Sequence, residues 1–213
     1  MNWLKRTLWS SIGKKLMMAI TGLTFCAFLT GHLAGNLTIY GGKETFNSYA
    51  EHLQSLGPLI TAMELCLVIF ALIHICTGLT LFYKNTVARG GRYVVNKSGG
   101  GRTIGSATMP YTGVILLVFV IVHLINFTFV DKSETSIANI VAQTFENPLW
   151  VLIYVFAMTV AAVHVSHGFW SAFQTIGANH EKYMPFIMAV SIIFSLIVGF
   201  GFGLLPIFVS FTG

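Results

Sequence analysis

Five histidines lie inside long apolar stretches of the sequence, where an imidazole is costly unless it binds a partner. His32, His74 and His123 each occupy a separate stretch, and His164 and His167 share a fourth. Imidazole is a common axial ligand of haem iron. Four apolar stretches that each supply one imidazole therefore predict two b-type haems, each held by two histidines.

The positions of the histidines predict which of them form pairs. His32, His74, His123 and His164 all lie toward the C-terminal end of their stretches, and successive stretches must cross a membrane in opposite directions. His32 and His123 should therefore lie at one level, here called outer, and His74 and His164 at the other, called inner. From the helical rise, the two levels should be about 10–15 Å apart.

The local sequence favours His164 over His167 as the inner ligand. Gly78 and Gly168 follow His74 and His164 by four residues, on the same helix face, where a missing side chain leaves room for a flat porphyrin. His167 lies one turn beyond His164 and has no such glycine. We predict that His167 hydrogen-bonds a haem propionate or the backbone.

The elements that carry these histidines are predicted to be membrane-spanning helices. The 213 residues are 55% hydrophobic and only 9% charged, which is typical of a membrane protein. We predict one all-α domain over residues 1–213, with no long repeat. It begins with an interfacial helix at 2–14. Its five transmembrane helices are expected at about 15–35, 59–83, 108–130, 149–175 and 185–208. No small-residue cleavage site follows the first of them, so this span should be retained.

The distribution of positive charge predicts the orientation. Ten of the twelve Lys and Arg residues lie in the N-terminal segment and in the loops after the second and fourth spans; only Lys43 and Lys132 lie on the opposite side. By the positive-inside rule, the N-terminus should be cytoplasmic. The clustering of charge in loops also argues against nucleic acid as a partner. The three cysteines lie within spans and show no paired spacing, so neither disulfides nor covalently attached haem are expected.

Several motifs resemble a known family, the di-haem cytochrome b membrane anchor of succinate dehydrogenase and fumarate reductase, in its single-anchor type with five helices. The first three spans and their flanks carry SSIGKKLMMAITGL, HLAGNL, NSYAEHLQSLGPL, HICTGL and HLINF, and the fourth carries HVSHGFWSAFQTIG. In that family the first four spans each supply one haem ligand. The resemblance implies that His32 and His123 hold a distal haem and that His74 and His164 hold a proximal one.

The resemblance also implies partners. A flavoprotein subunit with covalent FAD and an iron–sulfur subunit would dock on the cytoplasmic face of a bacterial inner membrane and interconvert succinate and fumarate. This chain would carry electrons between them and a membrane quinone, commonly menaquinone, and would lack a dicarboxylate site of its own. The basic loop 84–102 is a candidate docking surface, although positive-inside topology explains it equally well. A dimer of such heterotrimers is compatible with the family.

Quinone chemistry needs a group that moves protons, because a quinol releases two protons with its two electrons. Glu64 is the best candidate, since a carboxylate inside a span is costly without a function; a carboxyl hydrogen-bonded near the interface is the alternative. Some family members carry a glutamate two residues before the fourth-span ligand, thought to return protons across the membrane. That position is Ala162 here. Candidate partners of the haem propionates are Ser11, Lys15, Lys84, His167 and Trp170.

Two other functions are compatible with the residues alone. One is the cytochrome b subunit of another membrane enzyme, such as a hydrogenase or formate dehydrogenase. The other is a proton-coupled transporter that uses buried His and Glu as a relay, although the sequence shows no inverted repeat or paired broken helices.

Overall fold

The computed structural model describes residues 3–88 and 103–212, and these residues form helices joined by short connections. Leu37–Gly41 is a single 3₁₀ turn. The α-helices of the described residues are α1 Trp3–Trp9, α2 Ser11–Asn36, α3 Lys43–Ser55, α4 Pro58–Ala88, α5 Ile104–Phe127, α6 Ile137–Phe145, α7 Pro148–Thr175 and α8 Met184–Thr212.

Five of these helices, α2, α4, α5, α7 and α8, are long and apolar enough to cross a membrane. The prediction of an all-α bundle with five transmembrane helices is therefore confirmed. The interfacial helix is shorter than predicted, because α1 ends at Trp9 and the Ser10 side chain caps α2 by accepting a hydrogen bond from the Gly13 N–H at 3.0 Å. The first transmembrane helix consequently begins at Ser11, four residues before the predicted start.

Four helices form a ring around the histidines. α2 packs along both α4 and α7, α5 packs along α7, and α4 meets α5 at only a few positions. The order around the ring is therefore α4, α2, α7, α5. The helices on each diagonal, α2 with α5 and α4 with α7, have no extensive contact within the described residues, so the centre of the ring lies between them.

The fifth transmembrane helix, α8, is attached to α7 by small residues at every fourth position. Ser191 is fully buried, and its hydroxyl donates to the Ser166 carbonyl at 2.7 Å. A Cβ added to Gly199 would lie 2.8 Å from the Cβ of Ala162. Such close approach is typical of packing between transmembrane helices with small interfacial residues. It secures α8 to the outside of the ring, although α8 carries no histidine.

The outer connections contain two short helices. The segment before α4 is rich in polar residues, and it forms α3, which buries Phe46 and packs Tyr49 against Gly35 of α2. The Asn47 side chain accepts a hydrogen bond from the Ala138 N–H at 3.0 Å, which ties α3 to α6. Most of the predicted basic docking loop, residues 89–102, lies outside the described residues.

Candidate functional site

The outer pair of histidines meets across the centre of the ring. The ring centroids of His32 on α2 and His123 on α5 are 5.9 Å apart, with their planes at 88°. A bond between a metal and an imidazole nitrogen is about 2 Å long, and the ring centre lies about 1 Å beyond the nitrogen, so two axial imidazoles on one metal have centres about 6 Å apart. The separation of this pair is compatible with one iron between two imidazole ligands, and it is also in the range of a direct edge-to-face contact between the rings.

The surroundings of the outer pair also fit a haem. Phe28 stacks on His32 with centroids 5.2 Å apart, and Phe119 and Phe127 lie 5.9 and 5.3 Å from the His123 ring. These aromatic side chains suit an apolar macrocycle. The Nδ1 atom of His123 is buried and has no hydrogen-bond partner within residues 3–88 and 103–212. An unpartnered buried polar atom is costly. Iron bound at Nε2 of this ring would leave that cost in place, and only a group that binds at Nδ1 would remove it.

His74 of α4 is held by two consecutive residues of α2. Its Nδ1 lies 2.9 Å from the hydroxyl oxygen of Thr21, and a Cβ added to Gly22 would lie 3.4 Å from its Cε1. Phe25, one turn further along α2, meets the ring edge-on with centroids 5.7 Å apart. One hydrogen bond and close packing thus fix the orientation of this imidazole.

His164 of α7 has the same kind of environment, supplied by α5. Its Nδ1 lies 3.0 Å from the hydroxyl oxygen of Thr112, and a Cβ added to Gly113 would lie 3.5 Å from its Cε1. Thr112 and His123 are eleven residues apart on α5, which corresponds to about 16 Å along the helix axis. The ring of His164 therefore lies well inward of the outer pair. Sequence analysis missed both threonines.

His167 contacts different groups from His164. Its Nδ1 lies 3.4 Å from the hydroxyl of Thr103, which caps the N-terminus of α5. Its ring meets Trp170 edge-on with centroids 4.8 Å apart. A Cβ added to Gly105 would lie 2.7 Å from the Cβ of His167, so the first turn of α5 packs directly on this residue. These contacts hold His167 at the inner end of α7.

The other candidate partners of the propionates lie at the inner helix ends. Ser11 and Lys15 lie in the first turns of α2, and Lys84 lies four residues before the end of α4; all three are exposed. Lys14, which sequence analysis missed, is only 5% exposed. Its Nζ donates to the Trp9 carbonyl at 2.6 Å and lies 5.4 Å from the centre of the Trp9 ring. These two contacts compensate part of the cost of burying its ammonium group.

Glu64 lies in the second turn of α4, and its side chain is exposed. It is six residues from Pro58, which corresponds to about 9 Å from the outer end of the helix. Within the described residues its side chain makes no hydrogen bond, and residues 61–66 around it are exposed as well. Its position leaves the carboxylate open to a molecule that approaches from the bilayer.

The fold defines a multi-pass membrane protein with histidines on four of its membrane-spanning helices. The family model described as the succinate dehydrogenase/fumarate reductase transmembrane subunit matches residues 92–200, which is more than half of the chain. The chain therefore belongs to this family and is a membrane anchor subunit. No curated protein and no solved structure gives a significant match.

Family membership confirms the resemblance suggested by the sequence motifs. It favours a subunit of succinate dehydrogenase or fumarate reductase over a cytochrome of a hydrogenase or formate dehydrogenase and over a transporter. The matched residues include α5 and α7, which carry His123 and His164. Helices α2 and α4, which carry the other two candidate ligands, precede the match.

Proposed function

We propose that this chain carries electrons between a membrane quinone and the iron–sulfur subunit of its complex, with two b-type haems as its cofactors. When bound, each haem would supply a one-electron carrier whose potential depends on its axial ligands. The 5.9 Å separation of the His32 and His123 imidazoles is the observation that supports this proposal best, because the two side chains come from helices on opposite sides of the ring of four helices.

The proposed ligands use both diagonals of the ring. His32 and His123 would bind the outer iron, and His74 and His164 the inner iron. The whole chain, residues 1–213, would then be one haem-binding domain. Haem propionates need cations or hydrogen-bond donors, and the proposed partners share a place near the inner helix ends: Ser11, Lys15, Lys84, His167 and Trp170.

Glu64 is the proposed acid–base group of the quinone site. A quinol that loses two electrons also loses two protons, so a nearby group must accept them. The exposed carboxylate on the outer part of α4 is accessible to a quinone dissolved in the bilayer. A low-potential quinone such as menaquinone is the substrate that suits this anchor type.

The proposed partners are a flavoprotein subunit with FAD and an iron–sulfur subunit, which would carry out the succinate–fumarate chemistry. They would dock on the inner face, the side that holds ten of the twelve Lys and Arg residues, and we propose that this face is cytoplasmic in a bacterial inner membrane. The basic loop 84–102 belongs to that face. Lipid surrounds the five transmembrane helices, and a dimer of heterotrimers would add contacts between such complexes.

The experiment that tests the proposal is a haem count per chain in the purified complex, with a reduced-minus-oxidised spectrum. We expect two six-coordinate, low-spin b-type haems. One haem would show that a pair is misassigned, and no haem would overturn the proposal.

Ligand variants make this test specific to residues. His164→Ala should remove the inner haem, because His164 is the residue oriented by Thr112 at the level of the ring centre. His167→Ala should retain both haems, because this ring contacts Thr103 and Trp170 instead. His180→Ala, in the exposed connection before α8, is the control and should also retain both. Loss of a haem from His167→Ala but not from His164→Ala would reverse the assignment.

A further inference from the structure

Helices α2 and α5 carry the same short pattern of residues, which hydropathy alone does not reveal. Residues 18–32 and residues 109–123 both follow the pattern Met-x-x-Thr-Gly-x9-His. The threonine and the histidine of each copy are eleven residues apart, which is close to three helical turns, so they lie on one face about 16 Å apart. Each helix therefore presents an outer histidine and an inner threonine on the same face.

The two threonines contact the inner histidines of the other two helices. The oxygen of Thr21 lies 2.9 Å from His74 Nδ1, and that of Thr112 lies 3.0 Å from His164 Nδ1. Each hydroxyl has one proton, and it has an acceptor in the carbonyl four residues earlier in its own helix, at 2.7 Å in α2 and 3.1 Å in α5. When its proton goes to that carbonyl, the hydroxyl oxygen is free to accept from the imidazole, which would make Nδ1 the protonated ring nitrogen.

The methionines of the pattern also make equivalent contacts in the two helix pairs, α2 with α4 and α5 with α7. A Cβ added to Gly78 would lie 3.9 Å from the methyl group of Met18, and a Cβ added to Gly168 would lie 3.7 Å from the methyl group of Met109. The glycines that follow the inner histidines thus face a methionine of the neighbouring helix. The contacts of α4 with α2 are repeated by those of α7 with α5, although the residues involved are far apart in the chain.

We infer that Thr21 and Thr112 are positioning residues of the inner haem site. They hold His74 and His164 with the proton on Nδ1, so that Nε2 of each ring is the nitrogen presented to iron. This inference rests on the proposed haem function. A histidine that binds a metal commonly donates its second N–H to such a partner, which fixes the ring and increases electron donation to the metal. The outer His123 has no such partner within the described helices, and Nδ1 of the outer His32 lies 3.5 Å from the side-chain nitrogen of Asn36 and not from a threonine hydroxyl. The threonine contact therefore distinguishes the inner site.

The test is a redox titration of the purified complex, followed through the optical bands of the two haems. Thr21→Val and Thr112→Val should each raise the midpoint potential of the inner haem, because a less donating imidazole stabilises the ferric state less. The outer haem should keep its potential. Loss of the hydrogen bond should also speed dissociation of the inner haem by about ten- to a hundredfold. Thr21→Ser and Thr112→Ser keep the hydroxyl and should restore both properties.

Two threonines on the same helices provide matched controls. In the described structure, the hydroxyls of Thr24 and Thr108 donate only to carbonyls of their own helix. Thr24→Val and Thr108→Val should therefore leave both potentials unchanged. If Thr21→Val and Thr112→Val both left the potential of the inner haem unchanged, the inference would be overturned and the proposed function would stay intact. Failure of the serine variants to restore the potential would have the same meaning. A wild-type complex without haem would overturn both.

Discussion

At the scale of the single residue, Glu64 is distinguished by a carboxylate that is exposed on a membrane-spanning helix. Glu64→Gln preserves the size of the side chain and removes its ability to accept a proton. We expect both haems to remain and quinol oxidation to slow by about a hundredfold or more, which is the usual contribution of a positioned acid–base group. Steady-state turnover of the purified complex with a quinol donor measures this effect, and the haem spectrum verifies the integrity of the sample.

The matched control for Glu64 is a carboxylate outside the membrane-spanning helices. Glu51 is exposed on α3, where water can accept protons without help from the protein, so Glu51→Gln should leave turnover unchanged. Equal rates for the Glu64→Gln variant and the wild type would show that Glu64 has no part in quinone chemistry. It would then be a surface carboxyl of the outer half of α4.

At the scale of the helix, the contact between α7 and α8 depends on the absence of a side chain at Gly199. Gly199→Leu would force new atoms into the space beside Ala162, and such overpacking typically costs about 1–3 kcal/mol. Thermal unfolding of the detergent-solubilised complex should therefore begin at a lower temperature. Gly31→Leu is the control, because a Cβ at Gly31 would meet no atom within 4 Å. Equal loss of stability in the two variants would contradict the close packing of α8.

The same contact between α7 and α8 limits the side chain that fits at residue 162. The resemblance suggests a proton-carrying glutamate at the position of Ala162, two residues before the proposed ligand His164, in some members of the family. Here the Cβ at this position faces the backbone of α8 at Gly199, so a longer side chain would collide with that helix. Because Ala162 is only partly buried, a carboxylate at this position would have to point away from α8 to keep this packing.

At the scale of the whole molecule, most features predicted from the sequence depend on one helix at a time; the exception is the meeting of His32 with His123, which was predicted from their similar depths. Runs of apolar residues determine the five transmembrane helices and their order. Most contacts between helices cannot be predicted from the residues of one helix, because the partners are far apart in the chain. Thr21, for example, hydrogen-bonds a histidine 53 residues away. Lys14 and Lys15 are identical neighbours in sequence, but only Lys14 is buried by the turn between α1 and α2. Helix α3 was missed because it buries few apolar residues at the surface of the bundle.

The orientation of the molecule in the membrane is a further consequence of its charge distribution. Lys and Arg resist translocation, so the side that holds ten of these twelve residues should stay in the cytoplasm. Ser133, between α5 and α6, and Asn179, between α7 and α8, are exposed residues on opposite sides of the bundle. Each can be replaced by cysteine in a chain whose native cysteines, Cys26, Cys66 and Cys76, are changed to alanine.

A membrane-impermeant maleimide added to intact spheroplasts should label the Ser133→Cys chain and leave the Asn179→Cys chain unlabelled until the membrane is opened. The parent chain without cysteine gives the background. The reverse pattern would put the loop before α8 outside the cell, and with it the proposed docking face. The proposed flavoprotein and iron–sulfur subunits would dock on the cytoplasmic side, so the histidine pair nearer that side would hold the haem that exchanges electrons with the iron–sulfur subunit. This labelling pattern determines which pair that is.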